Sequence, residues 1–335
     1  MNWSSVKNLL IGILVAANLF LVYNITLQDK ARDYIDEDEV LGAIELLAER
    51  GLYVPQECVP REKFTAPVFE SPYSDQYYTT TAETLSGSPR EVLLQTPSGD
   101  FSISSVNGAV TEMDTEFGFT YIKYGNLDNR TYTEITADDF ASEAALWGGV
   151  GASKLAVLSN QAEAFLECCF GDDSEFSTRI SAGYFDLESG LTYLLAKQLV
   201  GEYEIYSHYA VCVFSDEELV YAYGRWYFAP LDGEYNTALI DQVNILFSDL
   251  SELKNVGVTA FDMDDGEADD EGENAWTEET LTQFPNVEKL QAVYVVYWNA
   301  GKTALYFIPA WQIEHTDGQI IVYNATNGTV YSRNK

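Results

Sequence analysis

The chain has 335 residues, and its 53 acidic residues outnumber its 18 Lys and Arg residues, which gives a formal charge of −35 at neutral pH. Because affinity for phosphate groups comes mainly from Lys and Arg, this charge excludes a role in binding nucleic acid and disfavours binding to anionic lipid headgroups. It indicates a soluble, self-repelling surface or, alternatively, a surface that binds a basic partner.

An uncharged run of 21 residues separates Lys7 from Asp29, and most of its members are apolar. A helix of about 20 residues spans the apolar core of a bilayer, so residues 9–27 are predicted to form a transmembrane anchor. A secretion signal has a shorter apolar run that ends in a small-x-small cleavage site, and no such pair follows this run. A buried core helix is disfavoured because apolar residues occupy every face of the segment.

The tail before the anchor is short, and residues 1–8 are predicted to stay in the cytoplasm while the bulk of the chain is extracellular. Basic residues flank the anchor almost equally, with Lys7 on one side and Lys30 and Arg32 on the other. The predicted orientation therefore depends on the shortness of the tail more than on the distribution of positive charge. The expected localisation is the cell membrane, as a single-pass protein.

A short helix is predicted soon after the anchor. Asp36 is suited to cap its N-terminus, with Glu39 three residues later. Gly51 is suited to its C-terminal cap, and Pro55 prevents its continuation.

The remainder of the chain is predicted to form two α+β subdomains, at residues 29–149 and 150–335. Residues 60–135 contain short alternating runs separated by turn residues, which is the pattern of an antiparallel meander. A helix at 137–147 follows, and it ends at glycines that favour a boundary near residue 149.

The second predicted subdomain combines helices with long strands. The short link at residues 215–217 predicts a hairpin, and the pairs Asp317-Gly318 and Asn327-Gly328 predict two more tight turns. The predicted helices are at 160–170 and 239–250, and the predicted strands are at 202–214, 218–230, 290–298, 303–315, 319–324 and 329–332. The predicted fold class is therefore α+β, with antiparallel sheets and a few short helices.

Histidines that could act as catalytic bases are scarce. The sequence has two histidines, His208 and His315, and each lies in a predicted strand, where a structural role is expected. None of the common hydrolase, zinc-protease, phosphate-binding or dinucleotide-binding motifs is present. We therefore expect a protein that is not an enzyme and uses no cofactor, although the many carboxylates leave a glycosidase-type acid pair as an alternative.

The four cysteines are Cys58, Cys168, Cys169 and Cys212. An exported chain can form disulfides, and four cysteines allow three pairings. Their irregular spacing favours free or buried thiols instead. Because no two of them are separated by two residues, a zinc or thioredoxin-type site is disfavoured.

An acidic run occupies residues 261–279 and is predicted to be a solvated loop. The competing interpretation is a calcium-binding loop. The residues at positions 1, 3, 5, 6 and 12 of such a loop would be Glu267, Asp269, Glu271, Gly272 and Glu278. Position 1 is normally Asp, and no helix is evident before the loop.

The opening residues Met1-Asn2-Trp3-Ser4, followed by Lys7 and the apolar run to Tyr23, resemble the N-terminus of the YycI family. The segment AIELLAERGLYVPQECVP is similar to the family's first extracytoplasmic helix, turn and strand, and FIPAWQI with YNATNGTVY is similar to its closing strands. The usual family opening has Asp where this chain has Asn2. The resemblance covers the two ends of the chain and does not extend over residues 70–280.

The resemblance implies a non-catalytic regulator of a two-component system that acts in cell-wall homeostasis in Gram-positive bacteria. It implies one transmembrane helix, an α+β ectodomain, and two partners: a YycH-like anchored protein and a WalK-like sensor histidine kinase. The alternative is an anchored extracellular module that binds calcium or a cell-wall fragment.

The expected partner interface is the anchor itself. Trp3 carries over from the family opening. Gly12 and Ala16 form a small-xxx-small pair, which lets two helices approach closely, and Asn18 places an amide near the middle of the span. The competing interpretation is that a single-pass anchor simply tolerates these residues.

Overall fold

The computed structural model describes residues 34–72, 81, 83–85, 90–95, 101–105, 109–114, 117–123, 152–169, 174–228, 231–261, 284–298 and 304–334. The predicted cytoplasmic tail, the anchor, the helix at 137–147 and residues 262–279 of the acidic run lie outside these residues. Among the helices in the described part of the chain, none is both long enough and apolar enough to cross a bilayer.

The α+β fold class is confirmed: the described residues combine a few helices with mainly antiparallel strands. The helices are α1 (Glu37–Glu49), α2 (Ala152–Leu166), α3 (Gln242–Phe261) and a short 3-10 helix (Gln56–Cys58). The strands are β1 (Val68–Pro72), β2 (Arg90–Gln95), β3 (Phe101–Ser105), β4 (Ala109–Met113), β5 (Gly118–Lys123), β6 (Phe176–Phe185), β7 (Leu191–Val200), β8 (Tyr203–Ser215), β9 (Glu218–Arg225), β10 (Gly233–Tyr235), β11 (Val287–Trp298), β12 (Ala304–His315), β13 (Ile320–Asn324) and β14 (Val330–Asn334).

The chain divides into two compact units, each assembled from separate segments. The first unit consists of the described residues up to 66, those of 238–292 and those from 310 onward. The second unit consists of the described residues of 67–237 and 293–309. The predicted boundary near residue 149 lies outside the described residues, so the proposed division into consecutive subdomains stays a prediction.

An extended antiparallel series of strands forms the body of the second unit. Strands β2 to β5 pair in consecutive order, as the predicted meander requires, and β5 then pairs with β9. The predicted hairpin between β8 and β9 is confirmed, and β7 and β6 continue the sheet beyond β8. Seven residues of β7, β8 and β9 form a buried core cluster: Leu191, Tyr193, Leu195, Val211, Val213, Val220 and Tyr221.

The first unit combines α1 and α3, which pack together, with the C-terminal strands. There β12, β13 and β14 form an antiparallel series. The two predicted tight turns are confirmed, with Gly318 and Gly328 at positive φ values of 82° and 74°. Trp311 of β12 is buried; its indole N–H donates to the Ile240 carbonyl over 2.9 Å, and its ring contacts Phe64 edge-on.

Helix α1 has the predicted caps at both ends. The Asp36 carboxylate accepts from the Asp38 amide over 3.1 Å at the N-terminus. Gly51 has a φ of 91°, its N–H donates to the Ala48 carbonyl, and the Leu52 N–H reaches back to the Leu47 carbonyl. This pair of hydrogen bonds is a Schellman motif, which needs a left-handed residue at the position of Gly51.

The other two helices differ from their predicted bounds. Helix α2 begins at Ala152 and ends at Leu166, whereas 160–170 was predicted; its buried stripe of Leu158, Ala162 and Leu166 begins before the predicted start. Helix α3 continues past residue 250 with Leu253 still buried.

Candidate functional site

The four residues of the predicted partner interface, Trp3, Gly12, Ala16 and Asn18, lie outside the described residues, so the structure brings none of them together. The calcium-ligand positions predicted between 267 and 278 lie outside the described residues as well. Candidate sites in the described part of the chain must therefore be sought among buried titratable groups, surface clefts and exposed apolar side chains.

One buried polar cluster joins α3 to the C-terminal strands of the first unit. The carboxylate of Asp249 accepts a hydrogen bond from the Tyr323 hydroxyl over 2.7 Å, and its other oxygen lies 3.3 Å from Nε2 of His315. All three residues are essentially inaccessible to solvent. The imidazole and the carboxylate are close enough to form an ion pair when His315 is protonated, but they are not aligned as a hydrogen bond.

Contact with Asp249 favours the protonated form of His315. Burial lowers the pKa of His315. Three groups oppose this effect and outweigh it: the Asp249 carboxylate, the Pro285 carbonyl and the charge of Asp317. The pKa of His315 is therefore raised above its ordinary value. Burial, the principal cause, and the same carboxylate raise the pKa of Tyr323, so its hydroxyl stays a donor. The cluster lies between a helix and two strands, and its burial keeps it out of reach of a substrate.

A second buried network surrounds His208 in the second unit. The Gln198 side chain pairs with the backbone of Tyr227: its carbonyl oxygen accepts from the Tyr227 N–H over 3.0 Å, and its amide donates to the Tyr227 carbonyl over 2.5 Å. These two bonds fix the orientation of the amide. His208 Nδ1 lies 3.3 Å from the Gln198 oxygen, so Nδ1 carries the ring proton and donates it.

The environment of His208 keeps its ring neutral. Burial, with a smaller effect from the positive charge of Arg225, lowers the pKa of His208 to about 3. The rings of Phe117 and His208 are 6.4 Å apart, and Phe117 also stacks on Trp298 at 5.4 Å. At neutral pH the imidazole is a hydrogen-bond donor inside a core, as expected for a structural histidine.

Two non-glycine residues in this region have left-handed backbone conformations. Phe117 has a φ of 67° and Ser207 a φ of 61°. Such conformations are unfavourable for residues with a Cβ, and the surrounding structure has to hold them. The Phe117 carbonyl accepts the Trp226 N–H over 2.9 Å, so the strained residue is held by a backbone bond and by its aromatic contacts.

An acidic cleft of about 380 Å³ lies beside the turn between β4 and β5. Its lining includes Glu112, Asp114 and Tyr223. The Asp114 carboxylate accepts from the Gly118 N–H over 2.8 Å, so this side chain shapes the turn. Within the part of the chain that the structure describes, no group of three His, Cys, Asp or Glu side chains is arranged to hold a metal ion.

Helix α1 exposes apolar side chains on both sides of its buried stripe. Val40 and Leu47 are buried, whereas Leu41 and Leu46 are 37% and 42% exposed. Successive residues of a helix are rotated by about 100° around its axis, which places these two leucines on either side of the buried stripe. The apolar face of α1 is therefore wider than the part of it that the rest of the first unit buries. We refer to Leu41 and Leu46 as the exposed leucine pair; counting apolar positions around the predicted helix would have found it.

The start of the described chain is fixed directly beside α1. Tyr34 forms an isolated antiparallel bridge with Glu62, and its hydroxyl donates to the Glu62 carboxylate over 3.1 Å. The Ile35 N–H donates to the Arg61 carbonyl, and the Arg61 guanidinium binds both carboxylate oxygens of Glu37 at 3.0 and 2.7 Å. The segment that follows residue 33 therefore enters the first unit at the N-terminal end of α1.

Comparison with known proteins gives no family assignment. No family model matches the chain, and no curated protein matches it significantly. The crystal structure at 1.45 Å of an uncharacterized protein from Eubacterium rectale ATCC 33656 is similar over 84% of this chain and 89% of its own, with 8% sequence identity and a TM-score of 0.45. At that level the similarity carries no argument about function.

Proposed function

We propose that this chain is a non-enzymatic, membrane-anchored regulator of a two-component sensor kinase. In this proposal residues 9–27 cross the cell membrane, the tail before them is cytoplasmic, and the described units are extracellular. The partners are a WalK-like sensor histidine kinase and a YycH-like anchored protein. The resemblance of the chain's two ends to the YycI family supports these identities.

The observation that carries the proposal is the position of the exposed leucine pair. Single exposed hydrophobic residues are ordinary on protein surfaces, but these two lie on the first helix after the apolar run. That helix begins three residues after Tyr34, where the chain joins the first unit. An anchor and exposed apolar side chains placed this close in sequence are suited to contact one membrane-embedded partner together.

The placement of the two histidines also supports a role without catalysis. A general base must reach the proton that it removes, and both His208 and His315 are buried within polar networks of the core. Regulation by association needs no reactive side chain. It needs only that the chain binds one conformational state of the kinase better than the other.

The anchor's contribution can be tested by substitution. Gly12→Leu blocks close helix approach and Asn18→Leu removes the amide, whereas Ile13→Leu conserves side-chain volume and serves as the matched control. We expect the first two variants to lose co-purification with the kinase in mild detergent and to change its autophosphorylation. If both variants are expressed and inserted but keep the partner and the wild-type kinase output, the anchor does not recognise the kinase.

The ectodomain's contribution is tested separately with Leu41→Gln and Leu46→Gln. Because both side chains are exposed, neither change should unfold the first unit. Glu45→Gln places the same new side chain at another exposed position of this helix and controls for a glutamine on its surface. A double leucine variant that binds the kinase as tightly as the Glu45→Gln control would exclude the exposed leucine pair from the interface.

A further inference from the structure

Two adjacent cysteines meet at the C-terminal end of α2 in the second unit. The sulfur atoms of Cys168 and Cys169 are 3.6 Å apart. The Cys168 side chain is exposed and that of Cys169 is half-buried. The preceding Glu167 accepts the Thr178 N–H from β6 over 2.7 Å, so this turn is held against a strand.

The two thiols are chemically distinct. The hydrogen bond from Cys169 lowers the pKa of Cys168, and the same bond, with burial adding to it, raises the pKa of Cys169. Cys168 is the more accessible of the two sulfurs. Thiolates are the nucleophilic and metal-binding form of cysteine.

The other two cysteines are in different environments. Cys58 donates its thiol to the Glu288 carbonyl over 2.9 Å, and burial with nearby carboxylates raises its pKa. Cys212 is fully buried in β8, and burial raises its pKa to about 12. Neither of them is adjacent in sequence to another cysteine, so they serve as controls.

The sulfur separation fits chelation better than a disulfide. Two thiolates on one tetrahedral ion at bond lengths of about 2.3 Å are about 3.8 Å apart, close to the observed 3.6 Å. A disulfide needs about 2.05 Å between sulfurs and usually at least about 4.4 Å between the Cα atoms. Adjacent Cα atoms are about 3.8 Å apart across a trans peptide, so a ring closed by these cysteines would be strained.

Two sulfur ligands favour a soft ion. Structural zinc takes four protein ligands, and the described residues contain no group of three that could hold a metal. Two thiolates alone satisfy soft, thiophilic ions of low coordination number. We propose that Cys168 and Cys169 form a bidentate dithiol site for thiophilic ions that bind two sulfurs at a bent angle, the class to which trivalent arsenic belongs.

A trivalent organoarsenical, phenylarsine oxide, is a direct probe. Two arsenic–sulfur bonds form as the two S–H bonds break, and the oxide oxygen leaves with both protons as water. No electrons are transferred, so neither oxidant nor reductant is required. The product is a chelate ring that a monothiol removes poorly and a small dithiol removes readily.

The experiment uses the reduced full chain in detergent, with intact-mass measurement and peptide mapping. Wild type should gain one phenylarsenic group in place of two hydrogens, on the peptide that holds both cysteines, and keep it against a monothiol. Cys168→Ser and Cys169→Ser should each lower the monothiol concentration that strips the group by at least about 100-fold, because the second bond is intramolecular. Cys58→Ser and Cys212→Ser should behave as wild type.

Mapping on the wild-type chain keeps the test independent of how the variants fold. An adduct that maps to Cys58 or Cys212 would overturn the proposal. The proposal would also be wrong if the same monothiol concentration strips the group from wild type and from either single-serine variant. A chelate retained by Cys168→Ser would overturn it as well.

Discussion

Acid is expected to destabilise the second unit through His208. Burial and the charge of Arg225 lower the pKa of this imidazole to about 3, whereas a histidine in an unfolded chain takes up its proton near pH 6.5. Between these two values the unfolded chain binds a proton that the folded chain does not. Stability must therefore rise with pH across that window and fall as pH is lowered through it.

The size of the effect follows from the same shift. Each pH unit below 6.5 lowers the free energy of unfolding by about 1.4 kcal/mol, so the loss at pH 4.5 is about 2.7 kcal/mol. His208→Asn keeps an N–H donor for the Gln198 oxygen but does not titrate. The smaller Asn side chain should lower the free energy of unfolding by about 1–3 kcal/mol at every pH. Between pH 7 and 4.5, however, the free energy of unfolding of the variant should fall by about 2.7 kcal/mol less than that of wild type.

The measurement is urea unfolding of the full chain in a nonionic detergent, followed by tryptophan emission at a series of pH values. His315→Gln is the control, since it removes the other buried histidine and should keep the His208-dependent loss in acid. If wild type and His208→Asn lose stability in parallel between pH 7 and 4.5, the imidazole takes up its proton in the folded state. The assignment of a neutral, Nδ1-protonated donor would then be wrong.

Four further outcomes follow from the first unit. Because the pKa of His315 is raised on folding, its stabilising effect is complete below about pH 6.5 and is lost as pH rises through the folded pKa; His315→Gln should flatten that loss in thermal unfolding between neutral and alkaline pH. Tyr323→Phe removes the donor to a buried carboxylate and should lower the free energy of unfolding in urea by about 1–3 kcal/mol. Gly51→Ala forces a side chain onto a φ of 91° and should lower it by about 1 kcal/mol. Leu47→Ala, at a fully buried position, should lower the free energy of unfolding by about 2–5 kcal/mol in the same assay. The exposed Leu46→Ala should lower it by less than about 0.5 kcal/mol. Equal losses would mean that the buried face of α1 is assigned wrongly.

Helix α1 was predictable because its determinants are local. Asp36 supplies the cap oxygen, Gly51 supplies the left-handed residue, and Pro55 stops the helix, all within one short segment of sequence. The tight turns at Gly318 and Gly328 were predictable for the same reason, since a two-residue turn depends on its own residues.

Strand β7 could not be predicted from alternation because both of its faces are covered. Nine of its ten residues are buried, so the period of two that marks a half-exposed strand is missing. Its neighbour β6 pairs with it along most of its length and shows only an irregular burial pattern. Both strands depend on tertiary pairing rather than on a local sequence signal.

The Asp249 cluster was partly visible in the sequence. The carboxylate lies within the apolar stripe that Leu246, Leu250 and Leu253 form on α3, and a charge in that position requires a buried partner. What local pattern cannot identify is that partner, because His315 and Tyr323 come from strands far along the chain. A polar residue inside an otherwise apolar helical face therefore predicts a contact without naming it.

The proposed regulator needs its anchor and its ectodomain to be mechanically connected, and the entry into the first unit supplies a connection. The Tyr34–Glu62 bridge and the two-oxygen contact of Arg61 with Glu37 hold the start of the unit to α1. An exposed ion pair of this kind contributes little to stability, but two short contacts limit rotation of the entering chain. Helix α1, which carries the exposed leucine pair, is the first helix of the described chain after the proposed transmembrane segment. A ligand that binds the ectodomain could bias the kinase by this route only if the two kinase states present different surfaces to α1, because an equal contact with both states shifts neither population.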